Sequence, residues 1–298
     1  MTQPLTLDQA EQLFLTSLRA EGRSPDTLRF YTDSLESFRR FLARPTVTVA
    51  DIFPQDCREY MANLHARGSR PATVDDRRRA LARFFTWLLE EEEIPTSPMA
   101  RIKPVRVPVM VIPSYTHEDI DKLLNNCANR SHEDVRDKAL ILMLYDTGLR
   151  LREIAGLEID DIDWNTGRIK VFGKGAKERF VGMGSRLQRA LLRWIRVRPG
   201  DGQGPLWSTR WGSPFKPEAI RSMVKRRLRD VGVSGPRAVH RFRNSFAVSF
   251  LEDGGHPDDL RELLGHSTDQ MVRRYTRDGA QNRAVKAHKS HSPADRLR

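Results

Sequence analysis

The chain has 298 residues, of which 39% are hydrophobic and 30% charged, so it has enough apolar content to form packed cores. Lys and Arg outnumber Asp and Glu by 51 to 39, and the formal net charge of +12 favours a polyanionic partner, nucleic acid ahead of an anionic membrane. There is no run of about 18 apolar residues and no secretory signal pattern, so a membrane partner is excluded and a cytoplasmic location is expected.

Four amphipathic helices are predicted at the start of the chain. Apolar side chains recur at intervals of three and four residues over 7–20, 25–42, 54–66 and 71–92. Thr6 with Gln9 forms a capping-box pair before the first helix, and Ser24 caps the second. Four helices in about 90 residues predict a small bundle.

The fourth helix carries a basic face, although the charge surplus lies elsewhere. Residues 1–106 have a net charge of +1, whereas residues 107–298 have +11. The fourth helix nevertheless presents Arg77, Arg78 and Arg83, which we predict to contact DNA phosphates; a solvated helix face is the alternative.

A second, mixed domain is predicted after a proline-rich linker. Five prolines between Glu93 and Thr116 exclude a continuous helix there. Residues 136–147 predict a buried helix that Gly148 ends, and residues 168–172 and 178–181 predict a β-hairpin. Further helices are predicted over residues 186–197, 217–231, 240–252, 257–264 and 268–275, before a polar, basic tail.

Cofactor motifs are absent from the sequence, while basic groups stand at well-defined turns and helix faces. No phosphate loop, no two-metal acidic cluster and no Cys or His spacing typical of zinc is present, so no cofactor is expected. The two cysteines, Cys57 and Cys127, stand alone and are interpreted as reduced thiols of a cytosolic protein. The basic and phenolic candidates for a functional site are Arg150, Lys174, His240, Arg243, His266 and Tyr275.

In their order and spacing, these residues resemble the tyrosine recombinases, the family of phage integrases and Xer-type enzymes. The resemblance is carried by TGLRLREIAGL at 147–157, GKGAKERFVGM at 173–183, HRFRNSFA at 240–247, LLGHS at 263–267 and Tyr275. The N-terminal bundle matches the same family through residues 24–42 and 77–92. The resemblance therefore spans nearly the whole chain.

The resemblance implies a mainly α fold with a small β-sheet. It implies an N-terminal four-helix, SAM-like core-binding domain over 1–104 and an α+β catalytic domain over 105–275. The two domains would form a clamp around duplex DNA. The basic tail, 276–298, is then the candidate for an element exchanged between subunits of a cyclic assembly.

The resemblance also implies an activity: site-specific recombination of double-stranded DNA without metal or ATP. Free monomers would assemble as a tetramer on two paired sites and pass through a Holliday junction. A related recombinase or a directionality factor is a further candidate partner. In a prokaryote the enzyme would be associated with the nucleoid. Chromosome-dimer resolution and mobile-element integration both remain open.

Each candidate residue receives a role from the resemblance. Tyr275 would attack the scissile phosphate and form a 3′-phosphotyrosine. Arg150 and Arg243 would hold the non-bridging oxygens, His240 and His266 would bind the same phosphate and assist proton transfer, and Lys174 would protonate the leaving 5′-oxygen. The spacing itself, three residues after Arg150, predicts that Glu153 orients or neutralises a basic neighbour, and Lys177 is a weaker candidate for DNA contact.

Two departures from the family pattern and three rival functions accompany this interpretation. Phe242 stands where the family often has Leu, and Asn244 where it often has His; neither is expected to touch the reacting atoms. The rivals are a type IB topoisomerase, a DNA-binding accessory protein without catalysis, and a basic adaptor for RNA. The N-terminal bundle argues against the first rival.

Overall fold

The computed structural model of the chain forms two compact units, Met1–Met110 and Val111–Arg298. It describes residues 5–44, 46–108, 113–128, 130–173, 178–200 and 202–265, and the single residues 288, 292 and 295. Within these described ranges, no helix has the length and apolar character needed to cross a bilayer. The predicted helix at 268–275 and the tail that follows it lie outside the described residues.

The N-terminal unit contains the four predicted helices: α1 (Leu7–Ala20), α2 (Pro25–Leu42), α3 (Pro54–Ala66) and α4 (Pro71–Glu90). Local capping fixes where they begin. The Thr6 hydroxyl accepts a hydrogen bond from the Gln9 amide at 3.3 Å, and the Ser24 hydroxyl accepts one from the Thr27 amide at 3.3 Å. The fourth helix ends two residues earlier than predicted, and Glu92 has a left-handed φ of 59°, which cannot continue a right-handed helix.

Aromatic rings fill the core of this bundle. Phe14 of α1 meets Phe84 of α4 edge-to-face, with ring centroids 5.4 Å apart, and Phe38 of α2 meets Tyr60 of α3 at 5.1 Å. All four side chains are almost completely buried. Such pairs contribute about 0.5–1.5 kcal/mol beyond the burial of their area, so the aromatic contacts fix how the four helices pack.

The proline-rich segment after α4 packs onto the bundle over its first part. Residues 91–108 contain no helix or strand, as the prolines predict. Ile94 and Met99 are nevertheless buried in the bundle core, and the Val105 amide donates to the Asp75 carboxylate at 3.3 Å. This part of the predicted linker therefore belongs physically to the N-terminal unit.

The C-terminal unit combines seven described helices with one small sheet. The helices are α5 (His117–Asn126), α6 (His132–Thr147), α7 (Leu151–Ala155), α8 (Ser185–Val197), α9 (Pro217–Asp230), α10 (Ala238–Glu252) and α11 (Pro257–Leu264). The strands are β1 (Ile162–Asp163), β2 (Arg168–Phe172) and β3 (Glu178–Gly182). The fold class predicted from the sequence, mainly helical with a small sheet, is confirmed.

The sheet is antiparallel in the order β1-β2-β3 and presents one apolar face to the core. Ile169 of β2 pairs with Val181 of β3, and both are buried with Val171. Phe180, on the opposite face, is 56% exposed. Strand β1 was not predicted, because two residues are too few to show an alternating pattern.

Helix α6 runs through the middle of the C-terminal unit and begins four residues earlier than predicted. Its polar first turn hides the start, but the Ser131 hydroxyl caps the Asp134 amide at 3.1 Å. Asp137 on this helix is fully buried, and it accepts hydrogen bonds from Arg136 at 2.8 Å and from Arg227 of α9 at 2.8 Å. Burial alone would lower the pKa of Arg227, but its hydrogen bonds to Asp134 and Asp137 raise it above its ordinary value.

Helix α10 is held in place by the segment that precedes α5. The Tyr115 amide donates to the Ser245 hydroxyl at 2.7 Å, and the Tyr115 hydroxyl donates to the Ala238 carbonyl at 2.9 Å. The Arg241 guanidinium lies 4.0 Å from the centre of the Tyr115 ring and donates to the Pro113 carbonyl. These contacts fix the helix that carries His240 and Arg243.

Candidate functional site

A cationic cleft of about 1000 Å³ opens in the C-terminal unit. It brings together three of the predicted site residues, Arg150, His240 and Arg243. Four further basic residues line it, namely Arg221, Lys225, Arg229 and Arg237. Of the described residues that line the cleft, none is Asp or Glu. The cleft is therefore suited to a polyanion rather than to a neutral or cationic ligand.

Arg150 reaches the cleft from the turn between α6 and α7. Gly148 ends α6 in the left-handed region with φ of 58°, and a Cβ there would lie 2.5 Å from the Phe246 ring. A Cβ at this turn would be strained by the positive φ and would displace the Phe246 side chain, so glycine is favoured here. Arg150 then stands immediately before α7 with its side chain 42% exposed, so its guanidinium is available to a ligand.

The predicted supporting residue Glu153 accepts hydrogen bonds from both the backbone and the side chain of Arg150. Its carboxylate accepts from the Arg150 amide at 2.7 Å and from the Arg150 guanidinium at 3.0 Å. Arg179 of β3 donates to both oxygens of the same carboxylate, at 3.0 and 2.9 Å. Burial alone would raise the pKa of Glu153, but the hydrogen bonds from Arg179 and Arg150 hold it below its ordinary value. Glu153 is thus an anion between two guanidinium groups.

Arg243 and His240 lie three residues apart on α10 and so share one face of the helix. Arg243 is only 4% exposed, and its guanidinium donates to the Gly148 carbonyl at 2.7 Å and to the Leu264 carbonyl at 2.7 Å. His240 is exposed at the cleft. The buried guanidinium is held rigidly, and the imidazole is accessible to a ligand.

The two residues that depart from the family pattern have structural contacts. Phe242 is fully buried and packs on Tyr115, with ring centroids 4.7 Å apart. The Asn244 amide donates to the Ser114 hydroxyl at 3.1 Å. Both residues help to hold α10.

Four predicted residues lie outside the described part of the chain: Lys174, Lys177, His266 and Tyr275. Described residues border each gap. The β2–β3 pairing extends to Phe172 opposite Glu178, on either side of the two lysines. Helix α11 ends at Leu264, and Gly265 caps it with φ of 60°, directly before His266 in the sequence.

The three arginines predicted on α4 belong to the other unit, and each is already bonded within it. Arg77 donates to the Ser34 hydroxyl at 2.7 Å, Arg78 to Asp75 at 2.8 Å, and Arg83 to Glu90 at 3.1 Å. Phosphate contact by these residues remains a prediction.

Several basic residues of the site were not predicted. Arg221, Lys225 and Arg229 recur at intervals of four along α9, a spacing that places them on one helix face and was visible in the sequence. Arg179 had no such signal, because Glu153 is 26 residues and Leu263 is 84 residues away in the chain.

Comparison with known proteins identifies the family. The family model described as "Phage integrase family" matches residues 114–282, and the model "Phage integrase, N-terminal SAM-like domain" matches residues 12–92. The protein "Tyrosine recombinase XerC" of Xanthomonas campestris pv. campestris (strain B100) is 30% identical over 289 residues, which is 96% of this chain and 89% of the relative. The protein of the same name from Alcanivorax borkumensis is 30% identical over 297 residues, 97% of this chain and 95% of the relative.

Solved structures share the fold at lower identity. A lambda integrase dimer bound to a COC′ core site matches with a TM-score of 0.75 and 18% identity, covering 91% of this chain and 77% of that one. XerH recombinase bound to a palindromic difH substrate matches with a TM-score of 0.75 and 21% identity, covering 95% and 84%. Because two family models and full-length relatives at 30% identity all agree, the chain belongs to the phage integrase family and is a tyrosine recombinase, a site-specific recombination enzyme.

Proposed function

We propose that this recombinase cleaves and rejoins duplex DNA through a covalent 3′-phosphotyrosine at Tyr275. The observation that carries the proposal is the convergence of Arg150, His240 and Arg243 on one cationic cleft. Helix periodicity places His240 and Arg243 on one face of α10, but it does not bring Arg150, 93 positions before Arg243, to the same cleft.

The reaction proceeds in two balanced steps. The Tyr275 phenol oxygen attacks the scissile phosphorus, the bond from phosphorus to the 5′-oxygen breaks, and a 3′-phosphotyrosine and a free 5′-hydroxyl result. Lys174 gives a proton to the leaving 5′-oxygen, and the imidazoles of His240 and His266 hydrogen-bond the phosphate and take part in removing the phenol proton. In the second step a 5′-hydroxyl attacks the phosphotyrosine and releases the tyrosine.

The two arginines supply the charge that this reaction requires. A phosphodiester that passes through a five-coordinate state concentrates negative charge on its non-bridging oxygens, and guanidinium groups bind such oxygens with paired hydrogen bonds. One preorganised donor of this kind is typically worth about 3–4 kcal/mol of transition-state stabilisation. The phosphotyrosine conserves the energy of the broken bond, so no nucleotide cofactor is needed for rejoining.

Double-stranded recombination sites are the proposed substrate. The cleft carries six Lys or Arg side chains among its described lining residues, and solved relatives with this fold are bound to DNA. Contacts between these cations and phosphates would release counterions, so binding should weaken steeply as salt rises.

We further propose the assembly and organisation that the family resemblance implies. The chain acts as a tetramer on two paired sites with a Holliday-junction intermediate, in the cytoplasm with the chromosome. Residues 1–104 bind the core site, residues 105–275 catalyse, and the basic tail 276–298 exchanges between subunits. The tail carries six Lys or Arg against two Asp, so it also suits contact with DNA.

The test is a trap for the covalent intermediate. An inverted repeat flanking the gene is built into a duplex with a nick near the cleavage position, so that the short 5′-hydroxyl fragment diffuses away and the adduct accumulates. Wild-type protein should form a covalent complex, and mass spectrometry should place the DNA on Tyr275. Tyr275→Phe should bind the DNA but form no adduct.

A matched control separates the rivals. Tyr31→Phe removes a phenol from the N-terminal unit, where the ring packs on Phe14, and should leave the adduct intact. An adduct on another tyrosine would refute the assignment. If wild type and Tyr275→Phe both bind DNA without an adduct, the accessory-protein function is correct; relaxation of supercoiled DNA without any repeat would favour a topoisomerase.

A further inference from the structure

Three arginines cap three consecutive carbonyls at the end of α11. Arg179 donates to the Leu263 carbonyl at 3.0 Å, Arg243 to the Leu264 carbonyl at 2.7 Å, and Arg150 to the Gly265 carbonyl at 3.3 Å. The last carbonyls of a helix lack partners within the helix and carry its partial negative charge. One helix end therefore gathers three guanidinium groups that would otherwise repel one another.

Arg179 differs from the other two arginines in its position. Arg150 and Arg243 line the cationic cleft, whereas Arg179 is absent from the described lining of that cleft and its side chain is 13% exposed. It extends from β3, and all three of its guanidinium nitrogens donate hydrogen bonds to protein acceptors, namely the Glu153 carboxylate and the Leu263 carbonyl. It is thus placed to act through its neighbours rather than on a ligand.

The first consequence concerns the charge of Arg150. If Glu153 were bonded by Arg150 alone, the pair would be neutral and the carboxylate would compete with a phosphate for the guanidinium. Arg179 donates two hydrogen bonds to the same carboxylate, so the three groups together keep a net positive charge. Glu153 can then orient Arg150 without neutralising it.

The second consequence concerns geometry. Gly265 has no Cβ, and one added there would lie 3.1–3.2 Å from three atoms of the Arg179 guanidinium. The guanidinium therefore packs flat against the backbone that Arg150 also contacts. One side chain ties together the start of α7, the strand β3 and the end of α11.

We propose that Arg179 is a positioning residue that holds Arg150 cationic and correctly oriented for the scissile phosphate. The inference rests on the proposed role of Arg150 in phosphate binding. It adds a residue on β3, outside the set of six catalytic candidates, whose loss would impair cleavage without removing any group from the cleft.

The experiment compares Arg179→Ala and Arg179→Lys with wild type in single-turnover cleavage of the nicked duplex at saturating DNA. A misplacement of about 1 Å can cost about 10²-fold in rate. We expect Arg179→Ala to lower the cleavage rate by about that factor, with the DNA dissociation constant changed by less than about threefold. Arg179→Lys keeps the positive charge but lacks the paired N–H donors of a guanidinium group, so it should recover only part of the wild-type cleavage rate.

A substrate with altered charge separates positioning from simple destabilisation. A methylphosphonate at the scissile position removes one charged oxygen, so an oriented Arg150 has less to neutralise. The defect of Arg179→Ala should shrink on this substrate, whereas a general loss of folded protein would lower both rates equally. Arg168→Ala, an exposed arginine on the neighbouring strand β2, is the matched control and should cleave at the wild-type rate.

The outcomes are distinguishable from those of the proposed function. If Arg150→Ala is inactive while Arg179→Ala cleaves at the wild-type rate, the positioning role is wrong and the proposed function stands. If the defect of Arg179→Ala is equal on both substrates, the positioning role is also wrong. If Arg150→Ala cleaves normally, the phosphate-binding role of Arg150 and the positioning role of Arg179 are both overturned, whereas cleavage through Tyr275 is decided separately by the adduct experiment. Should Arg179→Ala fail to fold, Arg179→Lys and Arg179→Gln carry the same comparison.

Discussion

At the residue scale, Arg150 and Arg243 reach the same cleft in opposite states of solvation. Arg150 is 42% exposed and held from behind by Glu153, whereas Arg243 is 4% exposed and held by two backbone carbonyls. A buried guanidinium loses little conformational entropy on binding a ligand, because its rotamer is already fixed. We therefore expect Arg243 to bind a phosphate with little further loss of entropy, and Arg150 to depend on its side-chain partners for its orientation.

Glu11 of α1 provides a prediction about pH at a single residue. The residue is 7% exposed, its Oε1 atom has no hydrogen-bond partner among the described residues, and the Arg39 Nε lies 3.6 Å from the other oxygen. Burial raises the pKa of Glu11 to about 7. The folded state thus holds the proton more tightly than the unfolded state. Protonated Glu11 therefore contributes fully to the free energy of unfolding below about pH 4.5, and this contribution is lost as the pH rises towards 7.

Glu11→Gln, which stays neutral, should therefore be more stable than wild type at pH 7.5 by about 1–3 kcal/mol. The difference should grow between pH 5 and pH 7.5, as measured by thermal unfolding at a series of pH values. Glu36→Gln removes a surface carboxylate paired with Arg40 and should change stability by less than about 0.5 kcal/mol. A pH-independent difference for Glu11→Gln would contradict the buried, protonated carboxyl.

The site residues predicted from the sequence differ from Arg179, one of those not predicted, in the sequence signal that each carries. Arg150 follows a glycine that stops a helix, and Arg243 follows His240 at helical spacing, so each carries a local signal. The described hydrogen bonds of the Arg179 guanidinium all go to groups at least 26 residues away in the chain. A single sequence contains no local pattern for such contacts, because they arise when β3, α7 and α11 meet in the fold.

At the scale of elements, the end of α6 lies close against side chains of α10 and α11. A Cβ at Gly148 would lie 2.5 Å from Phe246 of α10 and 3.0 Å from Leu264 of α11. The carbonyl of the same glycine accepts the Arg243 hydrogen bond. The turn is consequently both a packing contact and part of the support of the site.

We predict that Gly148→Ala destabilises the C-terminal unit by about 2–5 kcal/mol, because it adds backbone strain to a clash. Gly167→Ala is the control, since Gly167 has a similar φ of 66° but its nearest atom would lie at an ordinary 3.7 Å. It should cost about 1–2 kcal/mol from backbone strain alone. Denaturant unfolding of both variants measures the difference in the free energy of unfolding. Equal losses would show that the neighbouring side chains move aside without an energetic penalty.

The sequence predicts elements with strong periodicity or clear caps and fails for short or polar ones. Helices α1, α3 and α11 begin and end at the predicted residues, because capping and glycine or alanine termini mark their ends. The two residues of β1 and the polar first turn of α6 show no periodicity, and only their tertiary contacts define them. Capping by Ser131 is the signal that would have extended α6.

At the scale of the whole molecule, charge is divided unequally between the two units. The first 106 residues are almost neutral, and their described α4 arginines are engaged by Ser34, Asp75 and Glu90. The remainder carries the surplus of +11, and its α9 cations line the cleft. Electrostatic attraction to DNA should therefore come chiefly from the C-terminal unit.

This asymmetry predicts different salt dependences for two sets of substitutions. Replacing Arg221, Lys225 and Arg229 by Gln should reduce the slope of log Kd against log salt by up to about 3, since each phosphate contact contributes about 0.9. Replacing Arg77, Arg78 and Arg83 by Gln should change the slope by less than about 1, because Arg78 and Arg83 are already paired with carboxylates. DNA-binding titrations at several salt concentrations measure both, and a larger change for the α4 set would reverse the assignment.

The arginine support at the end of α11 has a consequence for how this site tolerates mutation. Leu263 and Leu264 contribute carbonyl oxygens to the arginines, and every amino acid possesses that acceptor. Substitutions at these two positions that keep the helix end intact leave the acceptors in place, so their side chains are free to vary with the needs of the core. The arginines themselves have no such freedom. The residues that supply the carbonyl acceptors can thus change during evolution, whereas the arginines that donate the hydrogen bonds must be kept.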